Sequence, residues 1–211
     1  MMGRITCMHG EEKIQITLPS PELKSKVSIE EAIFKRRSCR EYKDKPITLK
    51  QLSQILWACQ GITEKGGYKR SAPSAGATYP LEIFVVVGKV EELDPGIYRY
   101  IPSTHKLELY KKGDFRRELA RACLNQPWVA EAPLSLIFTA IFERTTSRYG
   151  KRGIRYVYIE VGHASQNVYL QCESLGLGTV AVGAFIDEEV KKVLSLTSPF
   201  EPVYVMPVGV K

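Results

Sequence analysis

Apolar positions recur along the chain at two spacings. Helical spacing links Leu52, Ile55, Leu56 and Cys59, and it links Ile154, Val157, Val161, Ala164, Val168, Cys172 and Leu175 in one continuous stripe. Each series predicts a helix with one buried face. The second is the longest helix and the central one, and Gly176-Leu177-Gly178 ends it. Ser28 with Glu31 and Thr48 with Gln51 stand at capping-box spacing, with Val27/Ala32 and Ile47/Leu52 placed as hydrophobic staples. Gly61 is placed to stop the helix that Thr48 opens. Asp114 is expected to cap a helix through Leu124, and Asp187 one through Leu194. Leu81 to Val87 and Ala132 to Phe142 are instead unbroken apolar runs, as in strands buried on both faces. Ile97 to Tyr100 and Leu107 to Tyr110 flank Pro102 to His105 as a hairpin. Thr179 to Phe185 and Val203 to Gly209 predict two further strands.

This order of elements predicts an α+β fold with a mainly antiparallel sheet rather than a doubly wound parallel one. Residues 1–27 hold one short alternating segment, Lys13 to Leu18, and a Pro-Ser-Pro break, which predicts an N-terminal arm; residues 28–211 form one domain. With 211 residues, 44% of them hydrophobic, the chain can bury a full core. Its net charge of +7 invites an anionic partner, but paired Cys/His spacings and aromatic RNA-binding strands are lacking, so nucleic acid is not expected. Cys7, Cys39, Cys59, Cys123 and Cys172 are odd in number and scattered, which argues against a disulfide framework or a zinc site and for a reducing, cytoplasmic setting. His9, His105 and His163 are too dispersed to nominate a metal. The start lacks a long apolar segment and no 18-residue apolar run occurs, so neither secretion nor membrane spanning is expected.

Arg36-Arg37-Ser38-Cys39-Arg40 places three guanidiniums and a hydroxyl within five residues, a donor set suited to a phosphate dianion. The ordinary alternative is a solvated basic helix end. Pro73-Ser74-Ala75-Gly76-Ala77 offers small residues that let the main chain approach a flat ring, or else a plain flexible loop. Residues 143–155 form the most basic stretch, expected as a loop that either faces an anion or is merely solvated. Glu160, His163, Gln166, Asn167 and Gln171 are more polar groups than a core helix needs, and capping, pairing or subunit contact is expected of most of them. Neither a catalytic carboxylate pair nor a Ser-His-Asp set emerges. Gly176-Leu177-Gly178 is too short for a dinucleotide fingerprint and follows a helix where that fingerprint needs a strand.

Three blocks, in order, resemble the nitroreductase-like flavoprotein family, and specifically its SagB-type dehydrogenase branch. They are Arg36-Arg37-Ser38-x-Arg40, Ser71 to Pro80, and Glu160 to Leu170 followed by Leu175 to Gly178 and Val182 to Phe185. The resemblance spans about Leu18 to Gly209. It implies a nitroreductase-like fold and a homodimer with two FMN sites at the subunit interface. Arg36, Arg37, Ser38 and Arg40 would hold the phosphate, the ribityl end and the pyrimidine edge, while Pro73, Ser74, Ala75 and Gly76 would come from the other subunit. Ala181, Val182, Gly183 and Ala184 would lie under the isoalloxazine, with an amide near Gly183 aimed at its reactive nitrogen. The implied activity is hydride transfer from NADH or NADPH through FMN to quinone-like or nitroaromatic acceptors. Two alternatives are oxidation of azolines in a modified peptide and a non-catalytic phosphate- or nucleotide-binding module. Azoline-oxidising members carry a Lys-Tyr pair where Arg148-Tyr149 stands, so Arg148 and Tyr149 are candidate catalytic residues with the usual base replaced. Other members bring a further basic residue to the phosphate from a C-terminal extension, a position that Lys211 does not match.

Overall fold

The computed structural model describes residues 14–211, so the expectations on Cys7, His9 and Lys13 lie outside the described residues. The elements in order are β1 (Gln15–Thr17), α1 (Ile29–Lys35), α2 (Leu49–Gln60), β2 (Leu81–Val87), β3 (Gly96–Ile101), β4 (Lys106–Lys112), α3 (Arg116–Ala122), α4 (Pro127–Glu131), β5 (Leu134–Ala140), α5 (Glu143–Tyr149), α6 (Arg152–Ser174), β6 (Leu177–Thr179), α7 (Asp187–Leu194) and β7 (Glu201–Val210). The strands form one seven-stranded sheet in the order β1-β4-β3-β2-β5-β7-β6, and all six strand pairings are antiparallel. This is the expected α+β architecture.

The central strands are buried on both faces, as their unbroken apolar runs predict. Ile83, Val85, Leu136 and Phe138 face the layer that α2 and α6 cover, while Phe84, Val86 and Ile137 face α3, α4 and α7. Helix α6 presents Val157, Val161, Ala164, Val168 and Cys172 to that core; Ile154, at the start of the same stripe, is exposed. Thr48 and Gln51 close a reciprocal capping box on α2. Ser28 caps α1 by accepting from the Glu31 amide, but the Glu31 carboxylate turns to Lys35 instead of completing a box. At Gly61 the helix stops on an extended residue, where a Cβ would collide with Trp57. The arm is fastened at Pro19, whose carbonyl accepts from Ser53 Oγ at 2.6 Å and from His105 Nε2 at 3.0 Å. His105 Nδ1 accepts from the Tyr100 hydroxyl at 2.9 Å, and burial lowers the imidazole pKa, which suits this neutral form.

Four expectations need correction. The basic stretch 143–155 is mostly helical: α5 occupies its first half, Gly150 breaks the chain at φ +57, and α6 begins at Arg152. Only Thr145 of α5 is buried, so no apolar period announces it. The strand expected over Thr179 to Phe185 is displaced to β6, which shares only Thr179 with it, and beyond β6 only Val182 bridges to Val205. Asp114 is not the N-cap of α3; Phe115 is, Asp114 accepts from the Arg116 amide, and the helix ends at Ala122 with Leu124 and Asn125 both left-handed. Asp187 is the first helical residue of α7 rather than its cap.

Candidate functional site

Two clusters gather the predicted site residues, and α6 carries both. In the first, the chain leaving α1 runs beside the end of β6. Ser38 bridges Thr179 in a parallel sense and the Cys39 amide donates to the Thr179 carbonyl at 2.9 Å. Tyr169, on α6, joins this segment to the one after β6: its hydroxyl accepts from the Ala181 amide at 2.8 Å and lies 3.2 Å from Ser38 Oγ. Val182 is pinned by paired backbone bonds to Val205, which leaves Gly183 and Ala184 exposed. From the other side, α4 contributes Gln126, just before its first residue, whose side chain donates to the Ala184 carbonyl at 2.9 Å.

The three arginines behave differently. Arg36 lies over the Tyr169 ring at 5.3 Å and Arg40 over the Trp128 ring at 5.4 Å. Among the described residues neither forms an ion pair, so both stacked guanidiniums keep their forks of donors for an anion. Arg37 donates to the carbonyls of Phe34 and Arg36 at 2.9 and 2.8 Å, closing the C-terminus of α1.

The second cluster centres on the turn Ala75–Ala77. Gly76 has φ +59, and a Cβ there would collide with the Tyr149 hydroxyl and the Arg148 guanidinium. Arg148 donates to the Gly76 carbonyl at 3.0 Å. Ala77 and Tyr79 are also left-handed, at φ +52 and +44. Such backbone in non-glycine residues persists only where surrounding contacts enforce it. Helix α5 supplies several: Thr145 Oγ1 lies 2.8 Å from Thr78 Oγ1, and Arg144 donates to the Tyr79 carbonyl at 2.9 Å. Arg144 and Arg99 both pair with the nearly buried Glu82 of β2, at 2.7 and 2.9 Å. Among the described residues no hydrogen bond or ion pair joins this cluster to the first.

Under the turn, on α6, stands Glu160, 2% exposed. Burial raises its carboxyl pKa to about 7, opposed by Ser74, Arg70 and Gln60. Arg70 donates to Gln60 Oε1 at 3.0 Å and lies 4.2 Å over the Tyr79 ring, and burial lowers the guanidinium pKa. Farther along α6, Asn167 donates to the Ser71 carbonyl and Gln171 accepts from Gln54, whereas His163 and Gln166 are exposed. Among the described residues no group of His, Cys, Asp and Glu could hold a metal, and no helix is long and apolar enough to cross a membrane.

Residues 33–210 match the family model described as Nitroreductase family. The chain belongs to the nitroreductase family. A protein of Methanocaldococcus jannaschii, provisionally named a nitroreductase, is 48% identical over 200 residues, 95% of this chain and 98% of that one. A crystal structure of a Ralstonia eutropha protein, also provisionally named a nitroreductase, superposes with a TM-score of 0.80 at 32% identity, covering 93% of this chain and 89% of that one. The Microcin B17-processing protein McbC of Escherichia coli is 27% identical over 166 residues, 71% of this chain and 57% of the relative. This chain is thus a nitroreductase-family oxidoreductase, and the likeness carried by the three sequence blocks holds.

A nitroreductase-family flavin fits the first cluster on the chemistry of its donors. Two guanidiniums without an ion pair among the described residues, partly exposed Arg36 and exposed Arg40, stand with the exposed Ser38 beside a stretch of small exposed residues, Gly183 and Ala184. Three residues of the first cluster escape a reading of the sequence. Tyr169, Trp128 and Gln126 resemble ordinary core or surface positions until the fold brings them to Ser38, Arg40 and Ala184. Glu160 is visible as an excess polar residue, but its burial is not.

Proposed function

We propose that the protein is an FMN-dependent oxidoreductase that takes hydride from NADH or NADPH and passes it to quinone-like or nitroaromatic acceptors. The observation that carries this reading is the junction at Tyr169, where one hydroxyl ties the arginine segment to the small-residue stretch. Arg36, Ser38 and Arg40 would hold the phosphate, as charge-assisted donors with no competing carboxylate among the described residues. Residues 181–184 would underlie the ring system, with a backbone amide near Gly183 as a fixed donor. FMN, when bound, supplies the hydride exchange itself. Among the described residues Cys39, Cys59, Cys123 and Cys172 are free thiols, which suits a reducing cytoplasm.

The same reading makes the protein a homodimer in which Pro73, Ser74, Ala75 and Gly76 serve the flavin held by the partner subunit. Support comes from apolar side chains that this chain leaves uncovered. Phe34 is 77% exposed, Ile29 and Ile33 on α1 are exposed too, and so are Ile154, Tyr158 and Ile159 on α6.

Heating the purified protein should release a flavin that co-migrates with FMN; FAD, or no flavin after reconstitution, would overturn the proposal. Without air, NADH or NADPH should bleach the bound chromophore and a quinone should restore it. Azoline oxidation is the second reading, favoured by the Tyr149 hydroxyl beside Gly76. It requires a base as hydride leaves, and a guanidinium such as Arg148, here bonded to the Gly76 carbonyl, is a donor without an acceptor and does not provide one. Failure of both nicotinamides to bleach the flavin, together with azoline oxidation that collapses in Tyr149→Phe, would reverse the order of the two.

A further inference from the structure

Helix α5 buries only Thr145, so its place owes little to the core. Three of its side chains instead converge on one short stretch of chain, the turn that follows Ala75. Arg144 donates from Nη1 to the Tyr79 carbonyl at 2.9 Å while its Nη2 pairs with Glu82 Oε1 at 2.7 Å, so one guanidinium ties the end of the turn to β2. The single proton of the Thr78 hydroxyl goes to the Ala75 carbonyl at 3.0 Å, which makes Thr145 the donor in the 2.8 Å contact between the two threonines. Arg148 donates to the Gly76 carbonyl at 3.0 Å, so close that a Cβ on Gly76 would collide with the guanidinium. Gly76, Ala77 and Tyr79 are left-handed, a conformation that alanine and tyrosine adopt only under constraint. The upstream end of the segment is held separately, by Asn167 of α6 on the Ser71 carbonyl at 3.1 Å. What the fastened stretch shows to solvent is Pro73, Gly76 and Ala77.

We propose that α5 sets the shape of the Pro73 to Gly76 segment, with Arg144, Thr145 and Arg148 as positioning residues that each fix one residue of the left-handed turn. The inference rests on the flavin reading above only in the use it gives that segment. The sheet is the reference for the clamp: Glu82, 9% exposed, also pairs with Arg99 of β3 at 2.9 Å, so Arg144 carries the position of β2 and β3 to the turn. Arg148 then has a role that needs no proton transfer, as a strut under Gly76. Two amides inside the segment report on its shape. The Ala77 amide donates to the Ser74 carbonyl at 3.1 Å and the Tyr79 amide to Ser74 Oγ at 3.0 Å, and both bonds exist only while the turn stays folded back on Ser74.

Amide hydrogen exchange at Ala77 and Tyr79 in the full chain tests this, because exchange there requires the turn to open. Thr145→Val keeps the shape of the side chain and removes its donor, and Arg148→Met keeps the stem and removes the guanidinium. Each should lower protection at the two amides roughly threefold to tenfold, the range expected for one hydrogen bond, while protection in β2 and β5 stays constant. Thr145→Ser and Arg148→Lys, which retain a donor, should stay near the wild type. A parallel titration with FMN should show affinity weakened by a similar factor in Thr145→Val and Arg148→Met and restored in the two conservative variants. If one of the disruptive variants does not fold, the other carries the test; failure of both would make α5 a support of the whole molecule and overturn the inference. Wild-type protection at Ala77 and Tyr79 in both, a fall that is equal in β2 and β5, or an equal fall in Thr145→Ser and Arg148→Lys overturns it as well. Absence of FMN binding in the wild type would instead sink the flavin reading and leave the exchange result to decide the role of α5.

Discussion

The Arg37 guanidinium closes on carbonyls at the end of α1, so its removal takes a cap from that helix and leaves the outward donor set in place. Arg36 and Arg40 are in the opposite situation, each stacked on an aromatic ring and without an ion pair among the described residues. We expect Arg36→Ala and Arg40→Ala to weaken FMN binding by about 1.5 to 3 kcal/mol each, roughly tenfold to a hundredfold. Arg37→Ala should leave affinity within about threefold and lower thermal stability instead, because a surface cap is worth about 1 kcal/mol. Fluorescence titration of the three variants checks this; unchanged affinity in both Arg36→Ala and Arg40→Ala would return the pentapeptide to a solvated basic end. At this scale the charged residues are legible in the sequence, because guanidinium donors have few uses when clustered. Tyr169 and Trp128 are not, because an aromatic residue on a helix reads as core until the fold shows what its polar atom or ring face meets.

Among the elements, those whose burial repeats at a fixed period are legible: α2, α6, β2 and β5 lie close to where their apolar positions place them. Helix α5 is illegible for the converse reason. It holds its place through Arg144 and Thr145 rather than an apolar stripe, and charge pairs have no period to detect. Beta strand 6 is over-read because small and β-branched residues suit both a strand and the open segment that follows it. The dependence of α5 on charge makes a prediction. Glu82, 9% exposed, is the shared partner of Arg99 and Arg144. Glu82→Ala takes a nearly buried carboxylate away from two partly exposed guanidiniums and should destabilise the protein by about 1 to 2 kcal/mol. The exposed pair Lys69–Glu64, 3.3 Å apart, should contribute under about 1 kcal/mol, so Glu64→Ala is the control. Thermal melts measure both, and hydrogen exchange in Glu82→Ala should rise first over residues 143–149. A Glu82→Ala melt equal to that of Glu64→Ala would mean that α5 is held by something other than this charge pair.

On the scale of the molecule, the sheet and its two helical layers bury most of the large apolar side chains among the described residues, and six of the twelve that stay exposed fall on two helices. Phe34, Ile33 and Ile29 on α1 and Ile154, Tyr158 and Ile159 on α6 remain exposed on a chain otherwise able to bury such residues. Single exposed apolar residues are ordinary, but groups of three on a helix mark contact surfaces. Both groups sit on helices that carry the candidate site: α1 delivers Arg36, and α6 carries Tyr169 and Glu160. If the partner subunit covers these faces and lends its Pro73 to Gly76 segment to the cofactor, dimer formation and flavin retention are one equilibrium. Phe34→Glu or Ile159→Glu, substitutions at exposed positions, should then shift the protein to a monomer in sedimentation. The same variants should lose FMN by more than about tenfold, since half of the contact set departs with the partner and about 1.4 kcal/mol already corresponds to tenfold. A monomeric variant that still binds FMN with wild-type affinity would show that one chain holds the whole site. The separation of the two clusters on α6 would then be a property of the fold, with no bearing on shared sites.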